Sequence, residues 1–160
     1  MNRYLIAAIA ASCVLLAGCE KAAAPAAAQV AAVTEAEASK AFDATVAVWN
    51  SMDAAKIKAL YAPDVAGFDA FYAPLVADRA AWDKNQDGFA AAKLDSIKVA
   101  AKKVQIVDGD TFIVSSVSDG TSSTTPANNA TFRCTDVYHR GTDAKWSIVN
   151  ENCSVPPKAA

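Results

Sequence analysis

Long hydrophobic runs are scarce in this 160-residue chain. The longest, LIAAIAASCVLLA from Leu5 to Ala17, falls short of the ~20 residues that a membrane-spanning helix needs. Histidine occurs once, at His139. One imidazole and four cysteines offer too few ligands for a zinc site once the cysteines are assigned as below. There is no Gly-x-Ser-x-Gly elbow to present the nucleophile of a Ser-His-Asp triad. His139, next to Arg140 and a predicted turn, is read as an exposed strand end. Basic clusters are also missing: 15 Lys and Arg are scattered among 17 Asp and Glu, for a net charge of -2, which excludes a nucleic-acid face. The chain has no internal repeat, and neither metal nor cofactor is expected.

What is present begins with an address. Arg3, the apolar run and the small residues before Gly18-Cys19 form a secretory signal. Leu16-Ala17-Gly18-Cys19 resembles the lipobox of bacterial lipoproteins. That resemblance implies a signal peptide over 1–18, cleavage before Cys19, lipid on its sulfur and an acylated amino terminus. The alternative is an ordinary signal peptide that ends in cysteine. Several acyl chains, at ~0.8 kcal/mol per buried methylene, make such attachment to a membrane stable. Glu20 after the anchor, by resemblance to the bacterial sorting rule, implies the periplasmic face of the outer membrane. Residues 19–33 comprise the lipidated cysteine and an alanine-rich tether without a large side chain. One domain is expected over 34–157. With Cys13 lost and Cys19 acylated, Cys134 and Cys153 are left to pair in an oxidising compartment, or to remain as buried free thiols.

Helices come first. Thr34-Glu35-Ala36-Glu37 fits a capping box, and Ala38, Phe42, Thr45, Val46 and Trp49 form an apolar stripe down to Asn50. Asp53 can cap a second helix through Ile57, Leu60 and Tyr61 that stops near Ala62, because Pro63 disfavours helical geometry before it. VAGFDAF over 65–71 reads as a strand. A polar, alanine-rich region from Asp78 to Lys93 follows, and within it DKNQDG at 83–88 mimics half of a calcium-binding EF-hand loop. Leu94 stands where that loop needs its bidentate Glu, so the stretch is read as a polar turn with Gly88 in the left-handed conformation. SIKVAAKKVQIV and TFIVSSVS flank Asp108-Gly109-Asp110, a hairpin signal. TFRCTDVYH and KWSIVNENC flank RGTDA as a last hairpin, with Gly141 available for a positive φ. Cys134 and Cys153 are equidistant from a turn centred between Asp143 and Ala144. They would therefore oppose each other at a distance that a disulfide can close. Helices followed by an antiparallel meander make an α+β domain.

Trp49-Asn50 with Asp53, Leu60-Tyr61-Ala62-Pro63-Asp64, Arg133 with Thr135-Asp136-Val137-Tyr138, and Trp146-Ser147-Ile148-Val149 with Ser154 and Pro156 together resemble the SnoaL-like members of the nuclear-transport-factor-2-like superfamily. The ending is also similar to the association domain of calmodulin-dependent kinases. The resemblance implies a cystatin-like roll: a cone-shaped, curved antiparallel sheet wrapped around N-terminal helices, enclosing an apolar pocket and often pairing into a homodimer through its outer face. It also implies candidate catalytic carboxylates, with Asp136 as an acid for an oxyanion and Asp69 as a base, while Tyr61 or Tyr72 donates a hydrogen bond. Trp49, Tyr61, Phe68, Tyr72, Trp82, Phe112 and Trp146 are the expected pocket wall, or simply core. The preferred reading is a non-enzymatic, outer-membrane-anchored lipoprotein whose cone binds a small apolar ligand or a protein partner. The alternative is an isomerase or cyclase-like enzyme that moves protons with pocket carboxylates. Fold by itself does not choose between them.

Overall fold

In a computed structural model of the chain, residues 31–70 and 74–156 are described. The expected signal peptide 1–18, Cys19, the tether up to residue 30, Tyr72 and Pro157 lie outside the described residues. The capping box closes as expected. The Glu37 amide donates to Thr34 Oγ1 at 3.2 Å, and the Thr34 amide donates to Glu37 Oε2 at 2.9 Å. It starts α1, Glu35–Asn50, whose buried stripe is Ala38, Phe42 and Thr45, with Trp49 set edge-on to Phe42. Asp53 caps α2, Ala54–Lys58, by accepting from the Ala55 and Lys56 amides.

The second helix is shorter than expected, because Tyr61 already opens β1, Tyr61–Phe68. Proline at 63 removes helical geometry from Ala62, and pairing of Tyr61 with Ile148 on the last strand takes over. β1 ends at Phe68, so Asp69 sits just past the strand and not on it.

The region from Asp78 corrects a second expectation. Arg79–Ala91 is a continuous helix, α3, capped by Asp78. DKNQDG lies inside it, and no described glycine, Gly88 included, has a positive φ. Its side chains diverge instead of converging on a cation. Asp83 pairs with Arg79 at 2.8 Å, Asp87 pairs with Lys58 at 2.8 Å, and Asn85 is buried. A mid-helix glycine costs about 1 kcal/mol, offset here by tertiary contacts. Trp82 is fully buried, and Arg79 donates to the carbonyls of Lys58, Tyr61 and Ala62. That one guanidinium ties α3 to the end of α2 and the start of β1.

Four long strands follow: β2 Ser96–Ile106, β3 Thr111–Thr121, β4 Ala130–Arg140 and β5 Trp146–Ser154. Between β3 and β4, Pro126–Asn128 forms a single 3₁₀ turn. The sheet runs β1-β5-β4-β3-β2, curved and unclosed. Its four later strands are the expected meander, whereas β1 joins parallel to β5. Gly67 permits that approach, since a Cβ there would sit 1.8 Å from the Glu151 carbonyl oxygen. The core lies between the helices and the inner sheet face, where Phe42, Ile57, Val65, Trp82, Phe112, Val114 and Ile148 are fully buried.

The last hairpin contains a bulge. Arg140 to Tyr138 pair with Trp146 to Ile148, but from Val137 outward the partners shift by one residue. The shift restores the expected register further out, so Cys134 faces Cys153 with Cα atoms 4.1 Å apart and the two are disulfide-bonded. The positive φ in this turn belongs to Ala144 and not to Gly141.

Candidate functional site

Alternation along the strands decides which side chains meet beneath the helices. Ser116 and Ser118 of β3, Phe132, Cys134 and Asp136 of β4, and Glu151 and Cys153 of β5 all face inward. The register places Ser118 beside Phe132, Ser116 beside Cys134, and Asp136 directly opposite Glu151. Two carboxyl groups thus meet in the interior: Asp136 is 0% exposed and Glu151 5%.

Their surroundings are short of donors. Tyr61 Oη donates to Glu151 Oε2 at 2.9 Å. Neither carboxyl oxygen of Asp136 has a hydrogen-bond partner among the described residues. A carboxyl oxygen of each acid and Cys153 Sγ lie within 4.8 Å of one another. Because Cys153 is bonded to Cys134, only the carboxyls of this trio can exchange a proton.

Burial disfavours the charged form of each acid. It pushes the Asp136 carboxyl up to about 7. Glu151 is also raised well above the usual carboxylate range, first by burial and then by the charges of Asp136 and Asp69, against the Tyr61 hydrogen bond, which lowers it. Tyr61 is held above its usual range by burial and by Glu151, and Tyr138 by burial and by Asp136. The two acids titrate as one pair, and at neutral pH that pair retains a proton.

A cavity of about 60 Å³ opens beside them. Trp49, Tyr61, Ala70, Phe89, Ile97, Phe132 and the Cys134–Cys153 disulfide form its apolar wall. Asp69, Gln86, Ser116, Ser118 and Glu151 are its polar groups. Phe89 and Phe132 also line a wider groove of about 430 Å³, which runs between the end of α3, residues 127–130 and Val155. These two rings partition a buried chamber from an open one.

Of the residues expected at the site, Trp49, Tyr61 and Asp69 reach the cavity wall. Asp136 does not: it lies behind Glu151. Phe68 is 43% exposed and points away. Trp82 is core, packed on the Tyr61 ring with centroids 5.3 Å apart. Phe112 stacks on Tyr138 and meets Trp146 edge-on, so both belong to the packing at the closed end. Tyr72 lies outside the described residues. The residue that sequence reasoning missed is Glu151, although the signal was available. The turn that sets Cys134 against Cys153 also sets Asp136 against Glu151. His139 is exposed on β4 and shares a hydrogen bond with Thr111, as expected of a strand end.

A family described as SnoaL-like domain matches residues 42–149. Among solved structures, the chain is similar to a Xanthomonas campestris protein provisionally assigned as a calcium/calmodulin dependent protein kinase II association domain. The match has 23% identity and a TM-score of 0.65, and covers 79% of this chain and 91% of that one. An NTF2-like protein of unknown function from Pseudomonas putida has 20% identity and a TM-score of 0.64, covering 76% and 86%. A protein from Parabacteroides distasonis provisionally assigned as a ketosteroid isomerase has 18% identity and a TM-score of 0.62, covering 76% and 87%. At these identities the likeness establishes the fold alone. Comparison with curated protein sequences gives no match.

Proposed function

The chain belongs to the SnoaL-like domain family, and we propose that it serves as an exported, lipid-anchored binding protein. In this reading Cys19 carries the lipid, the tether holds the domain off the periplasmic face of the outer membrane, and the cavity between helices and sheet takes a small ligand. The observation that supports it is the cavity itself. Four aromatic rings and a disulfide surround a few convergent polar groups, the composition of a small-molecule site. Its volume of about 60 Å³ lies well below the ~150 Å³ of a cavity that admits benzene, so a larger ligand requires Phe89 and Phe132 to part and join the two chambers. A second copy is expected to meet the outer face of the sheet, where Ile113, Val137 and Val149 are only half-buried.

A proton-transfer enzyme of the isomerase or cyclase kind is the second reading, favoured by the acid pair. Glu151, kept protonated, can donate to an oxyanion that develops in the cavity, while Asp69 on the same wall takes the proton from an adjacent carbon. Asp136 then acts as a positioning residue that holds Glu151 in its acid form.

Native mass spectrometry of the full chain, exported to a bacterial periplasm, separates these readings when combined with a turnover assay on a β,γ-unsaturated ketone. A mass excess that disappears on denaturation, with no turnover, supports the binding protein. Turnover abolished by Glu151→Gln without loss of fold selects the enzyme. A bare mass that persists after ligand challenge, without turnover, refutes both.

A further inference from the structure

The cavity wall has a charge bias that the overall composition conceals. It carries two carboxyl residues, Asp69 and Glu151, and no Lys, Arg or His. Behind Glu151 lies Asp136, fully buried, with both oxygens lacking a donor among the described residues. The other titratable groups that face the pair are Tyr61 from β1 and Tyr138 from β4, and neither brings positive charge. α1 and α3 contribute only Trp49 and Gln86 to the wall. A buried acid with unused acceptors, next to an empty volume, is incomplete in a specific chemical sense. It lacks a hydrogen-bond donor, and the natural supplier of several donors together with a compensating charge is an ammonium group.

The apolar surroundings suit the same guest. The faces of Trp49, Tyr61, Phe89 and Phe132 attract a cation through their quadrupoles as well as covering its alkyl part. An anion meets the opposite: two carboxyls, and no cation on the wall to offset them. We propose that the site takes a small organic cation, a primary alkylamine in its ammonium form, with nitrogen at Glu151 and the alkyl chain between Phe89 and Phe132. This deepens the ligand-binding reading above and rests on it.

Entry of an ammonium ion requires the acid pair to be ionised, so a proton leaves when the ligand binds. Affinity therefore rises with pH through the range in which the free pair is protonated, by up to about tenfold per pH unit for each proton released. A neutral guest of the same shape needs no such release and shows no such slope.

The test is calorimetric titration of the full chain with methylamine, ethylamine and propylamine hydrochlorides. The isosteric neutral compounds ethanol and 1-propanol, and the anions acetate and propionate, serve as controls at pH 6, 7 and 8 in two buffers of different ionisation enthalpy. The expected result is at least tenfold preference for an amine over the matching alcohol at pH 8. That preference shrinks toward pH 6, and the buffer dependence reports proton release. Asp136→Asn and Glu151→Gln, each checked for retained fold by circular dichroism, should reduce both the preference and the proton release. Equal binding of alcohols, or better binding of carboxylates, overturns the cation proposal and leaves the binding-protein reading standing. No binding by any of the three sets overturns this proposal for small guests. A bare mass in the native-spectrometry experiment would then dispose of the broader reading separately.

Discussion

Replacing Asp136 with Asn should change the pH dependence of stability more than stability itself. The folded protein holds this carboxyl at about 7, against an ordinary value of 3.8. A raised carboxyl means that the folded state binds more protons than the unfolded one, so stability falls as pH rises from about 4 to about 7 and is level beyond. Three pKa units at ~1.4 kcal/mol each give about 4 kcal/mol lost across that window. Asn cannot ionise, so the variant lacks this slope. It introduces a buried amide that needs its own partners, an expense of ~1–3 kcal/mol that does not vary with pH. The variant should therefore be less stable than the parent at pH 4 by that amount, and should gain about 4 kcal/mol relative to it by pH 8. Glu151 adds in the same direction, because it loses the neighbouring charge that raises it. Carboxyls whose values are lowered by local hydrogen bonds, such as Glu37 and Asp95, are common to both proteins and cancel in the difference. Urea denaturation followed by tryptophan fluorescence, with the disulfide intact, reads this at each pH. A difference between variant and parent that stays within ~1 kcal/mol from pH 4 to 8 would refute the buried-acid argument.

Four further outcomes follow from named contacts. Replacing Cys134 and Cys153 together with Ser should lower stability by about 3 kcal/mol, as expected for a loop with a sequence separation of 19, measured as a shift in the urea midpoint. Gly67→Ala places a methyl against the Glu151 backbone oxygen, which cannot yield as a side chain would. A loss of ~3 kcal/mol or more and faster amide exchange in β1 are expected, and a neutral result would mean that β1 does not lie where described. Arg79→Lys leaves at least two of the three carbonyls at the α2–β1 junction without their donor and should cost about 2 kcal/mol by thermal melting. Phe132→Ala should lose ~3 kcal/mol of stability while joining the two chambers, so that a hydrophobic fluorescent probe binds more tightly than to the parent.

Where a local rule had a single physical solution, the order of residues was enough. Thr34 to Glu37 wrote a capping box, Asp53 capped α2, and strict alternation across two hairpins placed four strands and brought Cys134 to Cys153. Where tertiary contacts outweighed local preference, the residues misled. Asp83, Asn85, Asp87 and Gly88 are loop formers by composition, yet they are helical because Arg79, Lys58 and the burial of Trp82 hold α3 against the sheet. Tyr61 continued a helical stripe, yet it begins a strand because β5 offers a parallel edge and Gly67 lets β1 approach it. Those partners are distant in sequence, so no window of neighbouring residues contains them.

The site divides in the same way. Strand alternation alone determined that Asp136 points inward, and the hairpin register determined that Glu151 faces it. Only the packed structure decided that Glu151 and not Asp136 reaches the cavity, that Phe68 turns outward, and that Phe112 and Trp146 fill the closed end. Those outcomes depend on the curvature of the sheet and on where α1 and α3 rest upon it, which are set by the sum of many side-chain volumes rather than by any local pattern.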